Sequence, residues 1–124
     1  MTDAWIAGAS MTRIGRRSEP LPDLMAEAGL GALAAAGLEQ PDALVIATMN
    51  PEEFVGDGNF ASNVASYMGM AEVPSLRIET ATSSGAAAFY AGFVQIAAGQ
   101  RRSVLVVGGE KMTELNSTQA GEVL

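Results

Sequence analysis

Short apolar runs alternate with helix-like stretches along the whole chain. The first run is Ala4-Trp5-Ile6-Ala7-Gly8-Ala9, followed by a basic turn through Arg13, Arg16 and Arg17. A helix is predicted from about Leu21-Pro22-Asp23, where proline suits a first turn and Asp23 complements the positive helix end. Leu24, Ala28, Gly31 and Ala35 share one face by their spacing, with Met25 and Leu33 beside it, and Gly37 supplies a stop. The second run, Ala43-Leu44-Val45-Ile46-Ala47, is continuous, as in a strand covered on both faces. A turn-rich loop over residues 50–59 leads to a short helix predicted over residues 60–69. The third run, Ser75 to Thr80, alternates: Leu76, Ile78 and Thr80 fall on one side, Arg77 and Glu79 on the other, the pattern of an edge strand. An apolar helix is predicted from Ser84 to Ala98, ended by Gly99, and the last run, Ser103 to Gly108, is a buried strand. After Lys111 the chain carries neither a clear strand nor a stop signal.

Strand, helix, strand, helix, strand, helix, strand implies parallel pairing through right-handed crossovers, an α/β fold. Its 124 residues, 48% of them hydrophobic and 17% charged, suffice for one compact domain or part of a larger one. No run reaches the length that crosses a bilayer, and the first residues lack the pattern of a signal peptide, so a soluble, cytoplasmic protein is expected with no membrane partner. The net charge of −7 disfavours nucleic acid. Cysteine and histidine are both absent, which removes disulfides, thiolate chemistry and the usual neutral-pH base.

The first turn lacks the G-x-G-x-x-G of dinucleotide folds, and no phosphate-binding P-loop occurs. Ala81-Thr82-Ser83-Ser84-Gly85 lacks the first glycine of a hydrolase elbow, and there is no histidine to take a serine proton. Glu52, Glu53 and Asp57 read as a solvated acidic loop, so no metal site is expected. Tyr67 and Tyr90 sit at helical spacing that reads as core, and Phe54 and Phe60 read as loop anchors. Asn59 and Asn63 carry amides able to bond a substrate carbonyl, or to make Asx turns and a helix start. Glu110 and Lys111 follow the last strand, at the end where open α/β sheets place ligands, and an exposed ion pair accounts for them equally well. The most informative stretch is Glu79-Thr80-Ala81-Thr82-Ser83-Ser84-Gly85-Ala86-Ala87-Ala88, where a strand runs straight into an apolar helix. Hydroxyls there can simply cap backbone amides, the reading that physics alone favours. The same junction can also hold an anion or activate a nucleophile.

The segment Arg77-Ile78-Glu79-Thr80-Ala81-Thr82-Ser83-Ser84-Gly85 resembles the nucleophile turn of the thiolase superfamily. The opening Ile6 to Gly15 and the closing Val106-Val107-Gly108-Gly109-Glu110-Lys111-Met112 resemble it too, with the flavour of the sterol-carrier-protein X type. The resemblance implies that residues 1–124 form a partial thiolase-like N-terminal domain, a layered α/β fold with runs ordered 3-2-1-4 and helices on both faces. It implies no bound cofactor and a coenzyme A thioester as substrate. It also implies a homodimer in which the strand Leu76–Thr80 meets its copy antiparallel. In the family, the nucleophilic cysteine stands three residues before the glycine of this turn. That position is Thr82 here, with Ser83, Ser84 and Gly85 as companion substrate-binding candidates beside Asn59 and Asn63. The family's partnering histidine and second cysteine belong to a C-terminal half, which on this reading comes from a second chain or was lost. The expected function is thus the N-terminal portion of an enzyme of acyl transfer or carbon–carbon bond chemistry on acyl-CoA, not competent alone. The alternatives are a retro-aldol lyase subunit working with a small OB-fold-like partner, and a non-catalytic dimerisation fragment.

Overall fold

The computed structural model describes residues 2–124. Its order is α1 (Leu21–Ala36), β1 (Ala43–Ala47), α2 (Pro51–Val55), α3 (Phe60–Tyr67), β2 (Ser75–Ile78), α4 (Ser84–Ala97), β3 (Val104–Gly108) and α5 (Ser117–Val123). Among the described residues the strands form one parallel three-stranded sheet in the order β2-β1-β3. The continuous apolar run is the central strand, and all five of its residues are buried. Leu44 and Ile46 face one layer with Leu21, Met25 and Leu33 of α1 and Phe60 and Val64 of α3. Val45 and Ala47 face the other layer against Ala88 of α4. Helices therefore cover both faces, as the α/β expectation requires. None of them is long and apolar enough to cross a membrane.

The strand order departs from expectation. β1 pairs directly with β3, Ala43 opposite Val104 through Ala47 opposite Gly108, which closes the place reserved for the first run. Residues 4–9 form no strand: Trp5 is 87% exposed, and the segment lies along α1 instead. Glycine makes that contact possible, since a Cβ on Gly8 would stand 2.4 Å from the Ala32 carbonyl oxygen. A run of three alanines and a glycine around Trp5 and Ile6 has little strand propensity to outbid such packing.

Other differences are smaller. The buried face of α1 is Leu21, Met25, Gly29 and Leu33, rotated from the predicted stripe of Leu24, Ala28, Gly31 and Ala35. The loop over 50–59 contains α2, started by Pro51 and stopped by Gly56 at φ 73°. A capping box between Asn116 and Gln119 starts α5, where no element was predicted. Tyr67 and Tyr90 are surface residues, 53% and 67% exposed, because Met68 and Ala88 take the inward positions. Phe54 and Phe60 are buried anchors, as expected.

Candidate functional site

Between β2 and α4 the chain turns through one strained residue. Ala81 adopts φ 52°, a left-handed conformation that costs a non-glycine residue about 1–2 kcal/mol. Neighbours hold it there. Its amide donates to Glu79 Oε1 at 2.5 Å, and its carbonyl accepts from Ser84 Oγ at 2.7 Å and from the Ser84 amide at 3.1 Å. Buried Ser84 Oγ also accepts the Thr80 amide at 2.9 Å. Ser83 Oγ turns back to the Thr80 carbonyl at 2.8 Å and to Thr80 Oγ1 at 3.0 Å.

These bonds alter the capping reading. Ser83 is the N-cap residue of α4, yet its side chain caps nothing. The two serines stitch the elbow, and the amides of Gly85 and Ala86 find no acceptor among the described residues. Thr82 stands exposed at this open helix end, and its hydroxyl makes no side-chain hydrogen bond among the described residues.

Beside the elbow lies a cleft of about 560 Å³ at the carboxyl ends of β1 and β3. Thr82, Ser84 and Gly85 line one side with Ala81; Ala47, Thr48 and Met49 follow from β1, and Gly108, Gly109, Glu110 and Met112 from β3, with Leu124 at the edge. Glu110 joins the two strand ends: its Oε2 accepts the Met49 amide at 2.7 Å and its Oε1 the Thr48 hydroxyl at 3.1 Å. Behind Met49, Arg77 donates to that residue's carbonyl at 3.0 Å and pairs with Glu52. The guanidinium holds the Glu52 carboxyl below its ordinary range.

The structure thus brings Thr82, Ser84 and Gly85 to one cleft, with Ser83 behind them as a stay. It does not bring Asn59 or Asn63 there. Asn63 donates its amide to both oxygens of Asp57 at 2.8 Å, and the Asn59 backbone amide donates to the same carboxylate at 3.0 Å. Asp57 is what these asparagines serve, as a loop built on local Asx chemistry would have it. Glu110 and Lys111 do not form the ion pair that their adjacency suggested. Lys111 is only 8% exposed and reaches the Glu19 carbonyl at 2.9 Å and Glu114 at 2.6 Å. Thr48, Met49 and Met112 were not singled out from sequence; the available signal was position, just beyond two apolar strands, where ligands gather in open sheets. No group of three metal-ligating side chains exists among the described residues.

The comparisons with known proteins meet this geometry. Residues 4–123 match the profile of the thiolase N-terminal domain. The chain belongs to that family. The thiolase domain is 34% identical over 118 residues to an acetyl-CoA acetyltransferase of Methanothermobacter thermautotrophicus, covering 93% of this chain and 31% of the relative. It is 30% identical to a beta-ketoacyl-[acyl-carrier-protein] synthase III of Campylobacter jejuni, covering 92% of this chain and 36% of that protein. In three dimensions it superposes on the crystal structure of 3-oxoacyl-[acyl-carrier-protein] synthase III from Aquifex aeolicus with a TM-score of 0.70 and 27% identity. That match covers 79% of this chain and 32% of the other. The thiolase domain therefore spans about a third of the length of the curated relatives it matches.

Proposed function

We propose that the chain is the N-terminal portion of a thiolase-like acyltransferase, of the sterol-carrier-protein X type, that takes acyl-CoA thioesters in the cleft beside Thr82. The observation that carries this reading is the placement of Thr82. It lies just after a strained elbow, at the uncapped start of α4 and three residues before Gly85, where the family resemblance puts a cysteine.

The open amides of Gly85 and Ala86, together with the positive helix end, polarise a thioester carbonyl that enters the cleft. Ser83 and Ser84 keep the elbow strained and the amides free. Thr82 lines the acyl pocket and does not attack unassisted, because a hydroxyl needs a base to take its proton and this stretch of sequence holds no histidine. Glu110, the one side-chain carboxylate among the described residues lining the cleft, already accepts two hydrogen bonds. The reading assigns the missing base to the C-terminal half of the thiolase fold. It also includes a homodimer through the strand Leu76–Thr80.

Restoring sulfur tests the site. A cysteine at the start of α4 gains thiolate character from the helix end. Incubated with acetyl-CoA and followed by intact mass, the wild-type protein is expected to stay unlabelled. Thr82→Cys is expected to take up one acetyl group about tenfold faster than a control cysteine on the exposed face of α3, Ser62→Cys. Equal rates for the two cysteines would overturn the assignment.

A further inference from the structure

We propose that the cleft selects uncharged acyl groups and rejects acyl chains ending in a carboxylate, with Glu110 as the specificity-determining residue. The proposal deepens the acyl-thioester reading and rests on it. Beyond the elbow the cleft walls are Ala47, Met49, Met112 and Leu124, which offer a bound chain apolar side chains and no cation. Glu110 is the one ionisable side chain among the described residues that line it.

That carboxylate is fixed in place by the Met49 amide and the Thr48 hydroxyl, two neutral donors, so its negative charge stays at the wall. The neighbouring cations are engaged elsewhere. Lys111 is held by the Glu19 carbonyl and Glu114, and Arg77 by Glu52 and the Met49 carbonyl. The start of α4 carries only about half a positive charge, and in this reading its amides already face the thioester oxygen. A second carboxylate at the far end of the acyl chain would shed water among apolar walls and meet Glu110 without a counter-ion. Like charges confined at such range cost about tenfold or more in affinity.

Pantetheine thioesters test this directly, because they omit the coenzyme A phosphates and leave acyl charge as the variable. S-pentanoyl and S-succinyl pantetheine would be titrated into the isotope-labelled protein while the amide resonances of Gly85 and of residues 108–110 are followed. The wild-type protein is expected to bind the pentanoyl ester about tenfold or more tightly than the succinyl ester. Glu110→Gln, which keeps the shape and one acceptor, should bring the two within about threefold. Met112→Lys, at a half-exposed wall position, should favour the succinyl ester. Equal wild-type affinities, or a gap that survives in both variants, overturn charge selection and leave the acyl-thioester reading standing. Absence of cleft shifts with either ester overturns that reading, and the selectivity with it.

Discussion

Gly92 sits where α4 crosses β3, and a methyl group there would lie 2.8 Å from Val106 Cγ2 and 3.4 Å from Val104 Cγ1. Both neighbours are β-branched and stiff, so neither can swing aside as a long side chain would. Gly92→Ala gains at most about 1 kcal/mol of helix propensity. Overpacking a filled layer costs about 1–3 kcal/mol. The net expectation is a loss of about 1 kcal/mol, seen as a lower urea midpoint with an unchanged slope. An unchanged or higher midpoint would mean that α4 can shift outward. At the same scale, the elbow around Thr82 and Gly85 is made by neighbours in sequence, so its position could be read from the chain. Glu110 was placed at the ligand end of the last strand, but its partners were not foreseen: Thr48 and Met49 lie 62 and 61 residues away, and only the sheet brings them together.

Two elements meet at Asp42, which precedes β1 and ties its entrance to that of β3. The carboxylate Oδ2 accepts the amides of Arg102 at 2.8 Å and Ser103 at 3.2 Å, while the Asp42 amide donates to the Ser103 carbonyl at 3.1 Å. The two backbone bonds hold the carboxyl below its ordinary value of 3.8. A group whose folded pKa is depressed adds stability above its unfolded pKa and loses it as pH falls through the folded one. Asp42→Asn keeps an acceptor but cannot titrate. Its urea midpoint, measured from pH 6 downward, is therefore expected to fall less steeply than that of the wild type below about pH 4. Parallel acid limbs would refute this role for Asp42. The helices α1 and α4 were legible to within a residue because their signals are local: Pro22 in the first turn, Gly37 and Gly99 in left-handed geometry after the end. The run Ala4–Ala9 misled for the opposite reason. Its apolarity is real, but Trp5 and Ile6 stay exposed and Gly8 is where the run meets α1. α5 escaped notice because a capping box starts it while no residue in it is buried.

For the whole molecule, assembly turns on two exposed surfaces. One is the outer edge of β2, unpaired among the described residues, where Leu76 is 48% exposed. The other is the outer face of α4, where Phe89, Tyr90 and Phe93 stand exposed and the Tyr90 and Phe93 ring centroids are 6.4 Å apart. An edge strand with unpaired backbone groups is a template for pairing, and a two-fold axis lets each copy satisfy the other. Two β2 strands meeting antiparallel would join the sheets into one of twice as many strands, as the proposed homodimer requires. Because the contact is isologous, a substitution near the axis appears twice, and Leu76→Lys sets two like charges close together. Light scattering is expected to give the wild-type chain twice its 12.8 kDa and the Leu76→Lys variant a single chain's mass, with the same circular dichroism. Association through α4 would instead survive Leu76→Lys and dissolve in Phe89→Glu. A wild-type protein that stays monomeric at micromolar concentration would remove the edge-strand dimer from the proposed function, because four residues of β2 would then lack the contact that explains their exposed leucine.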